Sequence, residues 1–330
     1  MRAWLSILSL LIIAPDWDGP QRLGLLDPDA QITATRVGID PAQPRHVRLG
    51  RLTYLGGVEL RSPDPVFGGF SAMQLTGDRF TLLSDGGGIV RFRLDAQGRI
   101  SDQQIAELPA GPATGWEKRD RDSESLIVDA ATGDVLIGFE RVNEIWRYDA
   151  LLTRAIRHAA PKTMHDWDEN GGPEAMVRLA DGRTIVLAES SGPKKKPGRY
   201  ALSFAGDPTR SGQRAVRFLY MPPAGFDPSD AAALPDGRIL VLNRRFATPF
   251  DFAAKLTIVD PRTIRAGAMV RGQEVATIDT PLTRDNFEGL VVTKEGQATV
   301  IWLISDDNQF FLERTLLMKF RLEPAPHAKQ

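Results

Sequence analysis

The chain contains no cysteine among its 330 residues. That absence excludes disulfide bonds, thiolate catalysis and zinc held by cysteine, so any chemistry falls to carboxylates, hydroxyls, four histidines and the basic residues. A net excess of charge is also missing, since 41 Lys and Arg residues stand against 42 Asp and Glu residues. A general attraction to nucleic acid is therefore not expected.

Two common catalytic motifs are missing as well. There is no G-x-S-x-G nucleophile elbow, because the run Gly69-Phe70-Ser71-Ala72 is followed by Met73. A Walker-type phosphate loop does not occur either. These absences exclude a serine hydrolase of the usual α/β kind. Extended helical periodicity is lacking, which argues against a helical or βαβ architecture.

The N-terminus carries an apolar run from Ala3 to Ala14 that follows a single arginine and is broken only by two serines. A bilayer-spanning helix needs roughly 20 apolar residues, whereas this pattern is typical of a secretory signal peptide. We expect residues 1–30 to be a signal peptide, or a short uncleaved anchor, plus a linker. Residues 31–330 then form a single domain that is periplasmic or otherwise exported.

A five-fold repeat organises the rest of the chain. Each copy consists of a short strand, a turn containing glycine and a second apolar strand, and glycine supplies the positive φ that a tight hairpin needs. The turns are Thr76-Gly77-Asp78, Thr132-Gly133-Asp134, Asp181-Gly182, Asp236-Gly237 and Glu295-Gly296. The copies recur every 50 to 58 residues, the length of a four-stranded blade with its loops. The sequence therefore predicts an all-β fold, a β-propeller of about five four-stranded blades.

Ring closure follows from a mismatch at the two ends of this repeat. The stretch from His46 to Leu60 precedes the first hairpin and has no blade of its own, while the last copy lacks a strand. We expect the N-terminal strand to complete the last blade, which removes exposed sheet edges. A six-bladed ring, in which residues 32–60 contribute more than one strand, is the alternative.

Acidic residues recur at two positions of the repeat. The innermost strand of a blade lines the central channel, and a hairpin returns its second strand to the level where the first began, so both positions meet at one end. The inner-strand residues are Glu124, Glu174, Asp230 and Glu288, and the second strands end at Asp85, Glu140, Glu189, Asn243 and Asp306. Clustered carboxylates must be paired, protonated or metal-bound. Ca²⁺ suits such oxygen ligands, and a network with Arg141, Arg244 and Arg245 is the alternative.

The repeating signatures resemble a known family. They are Ser71-Ala72-Met73 leading to Ser84-Asp85-Gly86-Gly87, Ser123-Glu124-Ser125-Leu126 leading to Gly138-Phe139-Glu140-Arg141, Pro173-Glu174-Ala175-Met176, and Asn286-Phe287-Glu288-Gly289-Leu290 leading to Ser305-Asp306-Asp307-Asn308. This ordered set, over residues 50–322, is similar to the phytase-like proteins described by "esterase-like activity of phytase", a family of bacterial propellers usually found with export signals.

The resemblance implies a hydrolase that cleaves a phosphate or carboxylic ester with a divalent metal, Ca²⁺, in the channel. It further implies metal ligation by Glu124, Glu174, Glu288 and Asp306, a base at Glu140 or Glu189, and an anion clamp at Arg141 or Arg244. Sugar or lactone chemistry would use the same ligands.

The alternative is a non-catalytic propeller of the cell envelope that binds a ligand or a protein, because a fold does not fix a function. For the catalytic reading we expect a monomer that takes a small-molecule ester or phosphate and binds no nucleic acid. Beyond the N-terminal signal or anchor, no segment is expected to span a membrane.

Overall fold

The computed structural model describes residues 26–113, 120–247 and 251–325. These ranges are nearly all β, and the helices that lie wholly within them are single turns of 3-10 helix, Lys162–Met164 and Pro261–Thr263. Within the same ranges no helix has the length and apolar character needed to cross a membrane. Most of the predicted signal or anchor segment, residues 1–25, lies outside the described residues.

The strands form five sheets arranged as the blades of a propeller. The chain begins with β1 (Thr33–Arg36), β2 (Arg48–Leu49) and β3 (Leu52–Arg61). Blade 1 follows with β4 (Phe70–Thr76), β5 (Arg79–Ser84), β6 (Gly88–Leu94) and β7 (Ile100–Glu107). Blade 2 contains β8 (Ser123–Val128), β9 (Val135–Phe139), β10 (Glu144–Tyr148) and β11 (Ala155–Ala159).

The remaining blades keep the same order. Blade 3 contains β12 (Pro173–Arg178), β13 (Thr184–Ala188), β14 (Arg199–Phe204) and β15 (Ala215–Met221). Blade 4 contains β16 (Asp227–Ala233), β17 (Ile239–Ala247), β18 (Asp251–Val259) and, after the short strand β19 (Met269–Arg271), β20 (Gln273–Ile278). Strand β19 pairs in parallel with β15 of blade 3. Blade 5 contains β21 (Asn286–Glu295), β22 (Ala298–Asp306) and β23 (Thr315–Leu322).

The first strand of each blade faces the axis of the ring. Strand β4 contacts β8, β8 contacts β12, β12 contacts β16, β16 contacts β21, and β21 returns to β4. This closed circle confirms the predicted five-bladed propeller, and the six-bladed alternative is not the one adopted. We call the end of the channel at which these inner strands begin the mouth.

The N-terminal strand closes the ring. Strand β3 pairs antiparallel with β23, so the last sheet has the order β1-β3-β23-β22-β21, and β2 forms a further hairpin with β3. The predicted closure is therefore confirmed. Leu52, Val58 and Leu60 are buried along β3, which means that closure buries apolar surface as well as pairing the sheet edge.

Replacing Leu60 with alanine is expected to destabilise the protein by about 2–5 kcal/mol, because the side chain is 2% exposed and its removal leaves a cavity. Chemical denaturation followed by circular dichroism measures the change in the free energy of unfolding. Leu55→Ala on the same strand is the control, since this side chain is 44% exposed and should change stability by only about 0.5 kcal/mol. Equal effects of the two variants would contradict the packing role of β3.

Apolar side chains fill the spaces between neighbouring blades. Five buried clusters occupy the five interfaces, and each takes members from two adjacent blades. Examples in ring order are Leu83 with Ile137, Ile145 with Val186, Leu187 with Val241, Leu256 with Leu303, and Leu317 with Phe80. The core therefore lies between the sheets, and polar residues are free to gather at the channel mouth.

Candidate functional site

A β-bulge occurs at the same place in all five inner strands. The register shifts around one residue in each, and these residues are Ser71, Glu124, Glu174, Ser229 and Glu288. A bulge inserts one unpaired residue and re-aims its side chain. Blades 2, 3 and 5 thus each place a glutamate at the start of the inner strand, at the mouth.

Blade 4 departs from the predicted pattern. The expectation that Asp230 matches Glu124 and Glu174 is wrong, because the register places Ser229 at the bulge. The Asp230 carboxylate is buried and accepts a hydrogen bond from the backbone N–H of Leu290 at 2.6 Å, which ties blade 4 to blade 5. Both neighbouring residues are polar, so the sequence alone could not set this register.

The residue predicted at the end of the second strand of blade 4 also differs from the one that the structure places there. Asp85, Glu140, Glu189 and Asp306 occupy equivalent positions there, and the pairing of Pro228 with Asn243 makes Arg244 their equivalent in blade 4. Asn243 instead is buried between blades 3 and 4, where it accepts a hydrogen bond from the Tyr220 hydroxyl at 2.7 Å. Of the five equivalent positions, four carry a carboxylate and blade 4 carries a cation.

The backbone holds three of these carboxylate residues in place. In each, the N–H donates to the carbonyl of the residue just before the inner strand of the same blade, which extends the hairpin past the bulge. The bonds are Asp85 to Gly69 at 2.8 Å, Glu140 to Asp122 at 2.8 Å, and Glu189 to Gly172 at 3.1 Å. The backbone from which these side chains project is therefore fixed, at the same level of the channel in each of the three blades.

Two groups of carboxylates converge at the mouth. Oxygen atoms of Glu140, Glu174 and Glu189 lie within 4.8 Å of one another, and so do those of Asp122, Glu124 and Glu140. Glu140 belongs to both groups and accepts a hydrogen bond from the Gly172 N–H at 3.2 Å. The sequence reasoning missed Asp122, although an acidic residue just before the Ser-Glu signature of blade 2 was a usable signal.

Glu288 and Asp306 belong to neither group of described residues. The Glu288 carboxylate accepts a hydrogen bond from the Asn286 side chain at 2.7 Å. One Asp306 oxygen accepts from the backbone N–H of Asn308 at 2.7 Å. Each group thus contains one of the four predicted metal ligands, Glu124 in one and Glu174 in the other.

Burial and repulsion from neighbouring carboxylates disfavour ionisation of Glu124, Glu140 and Glu174. Burial raises the pKa of Glu140 to about 7, and the charges of Asp122 and Glu189 act in the same direction. Burial also raises the pKa of Glu124 and of Glu174 well above the usual range, with further contributions from neighbouring carboxylates. A bound cation would reverse this balance, because an opposite charge favours the ionised form.

Arg244 links two blades across the mouth. Its guanidinium donates to Glu189 of blade 3 at 2.7 Å and to Asn286 of blade 5 at 3.0 Å, and it lies 3.2 Å from the Glu288 carboxylate. Burial opposes its charge, but Glu288 and Glu189 raise the pKa of Arg244 above its ordinary value. This residue supplies the compensating charge on one side of the ring.

Arg141 is the more exposed of the two predicted anion-binding residues, with 37% of its side chain exposed against 16% for Arg244. Its Nε lies 2.6 Å from Asp122, and its backbone has a φ of +50°, a conformation that non-glycine residues rarely adopt. Such strain often marks a functional position. Arg245, the third predicted arginine, pairs instead with Asp251 at 2.9 Å, away from the ring carboxylates.

The chain belongs to the phytase-like family described by "esterase-like activity of phytase", because the family model matches residues 65–309. No curated protein shows a significant sequence match. Among solved structures, the chain is similar to an endo-arabinase from Bacteroides thetaiotaomicron, with 10% identity, a TM-score of 0.49, and coverage of 81% of this chain and 98% of that one. It also resembles a GH43 β-1,3-galactosidase, with 7% identity, a TM-score of 0.45, and coverage of 92% and 71%.

Proposed function

We propose that this phytase-like propeller hydrolyses a phosphate or carboxylic ester at the channel mouth with a bound divalent cation, and that it does so as an exported, monomeric protein. The observation that carries the proposal is the convergence of Glu140, Glu174 and Glu189 within 4.8 Å. Their crowding is unfavourable without a compensating charge, as the raised pKa values of Glu140 and Glu174 indicate.

A hard cation such as Ca²⁺ fits these residues. It takes six to eight oxygen ligands, and three glutamates offer up to six. Of the ligands that the family resemblance implied, we retain Glu174 and place the ion beside it, away from Glu288. The reason is that Glu174 belongs to a carboxylate group and Glu288 belongs to neither.

The remaining groups divide the chemistry. A bound divalent cation polarises an ester oxygen and lowers the pKa of water. Glu124 is the carboxylate that we assign to accept a proton from the attacking water, since it lies beside Glu140 and outside the group that holds the cation. Arg141 is placed to donate to an anionic substrate oxygen, while Arg244 positions Glu189.

A binding platform without catalysis is the second candidate. The observation in its favour is that Arg244 connects blade 3 to blade 5, so part of the polar ring contributes to structure. On this view the carboxylates and arginines neutralise one another, and the mouth binds a ligand or a protein without turnover. Catalysis and metal content separate the two candidates.

Hydrolysis of p-nitrophenyl phosphate or p-nitrophenyl acetate by the purified protein is expected in Ca²⁺ and should be lost with a chelator. Glu174→Gln should lower the rate by at least about 100-fold, because it removes a charged ligand from the buried group. Glu274→Gln is the matched control, since this exposed carboxylate on blade 4 pairs with Lys255 at 2.6 Å and should leave the rate unchanged. Turnover that survives both the chelator and Glu174→Gln would overturn the proposal, as would the absence of turnover with every ester tested.

A further inference from the structure

Exposed apolar side chains concentrate at the channel mouth. Among the described residues ten large apolar side chains are exposed, and five of them lie at or just after the ends of second strands: Val142, Phe246, Phe310, Phe311 and Leu312. These positions belong to blades 2, 4 and 5, and each is close in sequence to a ring residue. Half of the exposed large apolar side chains therefore lie at the end of the propeller that carries the candidate site.

The largest exposed apolar group is the segment Phe310–Leu312 between β22 and β23, which we call the aromatic loop. Phe311 is 85% exposed, and its ring lies 4.9 Å from that of Phe310. The Phe310 N–H donates to the Asp307 carbonyl at 2.7 Å, and the Asp307 carboxylate accepts from the Gly69 N–H at 2.9 Å. The loop is thus held in place by blade 1 while its apolar surface faces solvent.

The aromatic loop lies near the charged ring. Glu313, directly after it, accepts a hydrogen bond from the Asn308 side chain at 2.7 Å, and the Asn308 backbone N–H donates to the ring residue Asp306. Exposed apolar surface beside a polar cleft is typical of a binding surface. The charge of the other loops at the mouth indicates which polar group such a ligand carries.

The corresponding loop of blade 3 is basic, not apolar. The corresponding loop between β13 and β14 follows Glu189 and carries Lys194, Lys195 and Lys196, all of them exposed. We call these three residues the basic loop. The mouth therefore carries a basic loop on blade 3 and exposed apolar side chains on blades 2, 4 and 5, at the same end of the propeller as the carboxylates.

We infer, resting on the proposed function, that the ester substrate is a soluble amphiphile with an anionic group and an apolar chain. The basic loop attracts the anionic group, and the aromatic loop packs against the chain. A substrate with many negative charges fits less well, because its outer charges would face carboxylates wherever they extend beyond the basic loop and the bound cation.

Binding of two alkylphosphonates tests this inference without requiring turnover. Ethylphosphonate and octylphosphonate share one anionic group and differ in chain length, and calorimetry in Ca²⁺ gives their affinities. We expect octylphosphonate to bind at least about tenfold more tightly, because its extra methylenes leave water for the aromatic surface. Equal affinities would overturn the inference.

Matched variants assign the two loops separately. The double variant Phe310→Ser, Phe311→Ser should reduce the octylphosphonate affinity to that of ethylphosphonate, whose own affinity stays unchanged. Replacing the three lysines by glutamine should weaken both ligands several-fold and by the same factor. Leu151→Ser is the control, since this side chain is 70% exposed on a turn at the opposite end of the propeller and should change neither affinity. A chain-length preference that persists in the phenylalanine variant would contradict the role of the aromatic loop.

Failure of this inference is distinguishable from failure of the proposed function. Chain-length-dependent binding without hydrolysis would leave the amphiphile site standing and remove the catalytic role. Metal-dependent hydrolysis with no chain-length preference would support the catalytic role and overturn the amphiphile site. A second copy of the chain is the other possible occupant of the aromatic loop, and sedimentation of the ligand-free protein tests it. Wild-type dimers that the phenylalanine variant converts to monomers would make the loop a contact between copies and overturn the inference.

Discussion

Replacing Glu140 with glutamine is expected to raise the melting temperature of the metal-free protein at pH 8 and to abolish its stabilisation by Ca²⁺. Glu140 is 8% exposed and belongs to both carboxylate groups, so its charge is costly without a cation and central with one. Glutamine keeps an oxygen that can accept the Gly172 N–H bond while it removes the charge. The variant therefore separates the destabilisation that the Glu140 charge causes in the metal-free protein from the contribution of that charge to stabilisation by Ca²⁺.

The pH dependence has a definite sign. The pKa of Glu140 rises from 4.5 to about 7 on folding, so between these values the folded protein binds more protons than the unfolded chain. Stability of the metal-free protein should therefore be highest below about pH 4.5 as far as this group is concerned, and should fall as the pH rises to about 7. Ca²⁺ should remove most of this loss, because it binds the ionised carboxylates.

Differential scanning calorimetry at pH 5.5 and pH 8, with chelator or with Ca²⁺, measures both effects. Glu59→Gln is the control, since this carboxylate lies on the outer strand β3 and pairs with Arg61. A metal-free melting temperature that does not change between the two pH values, or that falls in Glu140→Gln at pH 8, would contradict the account of the carboxylate groups.

Replacing Arg244 with methionine is expected to destabilise the protein by about 3–5 kcal/mol, because it leaves Glu189 and Glu288 without their cation in a buried site. The loss should be larger at pH 8 than at pH 5.5, since burial raises the pKa of Glu288 and its protonation relieves the missing charge. Urea denaturation at the two pH values gives the free energies of unfolding.

Arg245→Met provides a control on the adjacent residue. Arg245 pairs with Asp251 at 2.9 Å, and Asp251 is 50% exposed, so its loss should cost no more than about 1 kcal/mol. Ca²⁺ should partly restore the Arg244→Met protein if a cation can approach Glu189 in its place. Similar losses in the two variants would show that the ring carboxylates do not depend on Arg244.

The repeat made the architecture predictable from the sequence. Glycine turns such as Asp181-Gly182 give the positive φ of the hairpins, observed at +88° for Gly182, and the apolar runs between them became the blade strands. The predicted run Glu144–Tyr148 is β10 itself, and the orphan N-terminal stretch became β3. The hairpin turns and strands are local features, and ring closure follows from counting the strands, so all of them can be predicted from a single sequence.

The candidate site was predictable only in part. Glu124, Glu174 and Glu140 were found because a polar residue at a fixed place in an apolar repeat is visible in the sequence. Asp122 was missed, since it lies before the strand that defined the repeat. Glu140 of blade 2 meets Glu174 and Glu189 of blade 3, and no local pattern reports a distance between residues 34 or 49 positions apart.

The sequence by itself determined a β-propeller of about five blades, its closure by an N-terminal strand, and acidic residues at one end of the channel. Only the tertiary structure decided the register of blade 4, where Ser229 takes the bulge and Arg244 takes a carboxylate position. The physical reason is that a one-residue shift in an antiparallel pair exchanges which side chains face the channel. Bulges and contacts between blades select among such registers, and these exist only once the ring has closed.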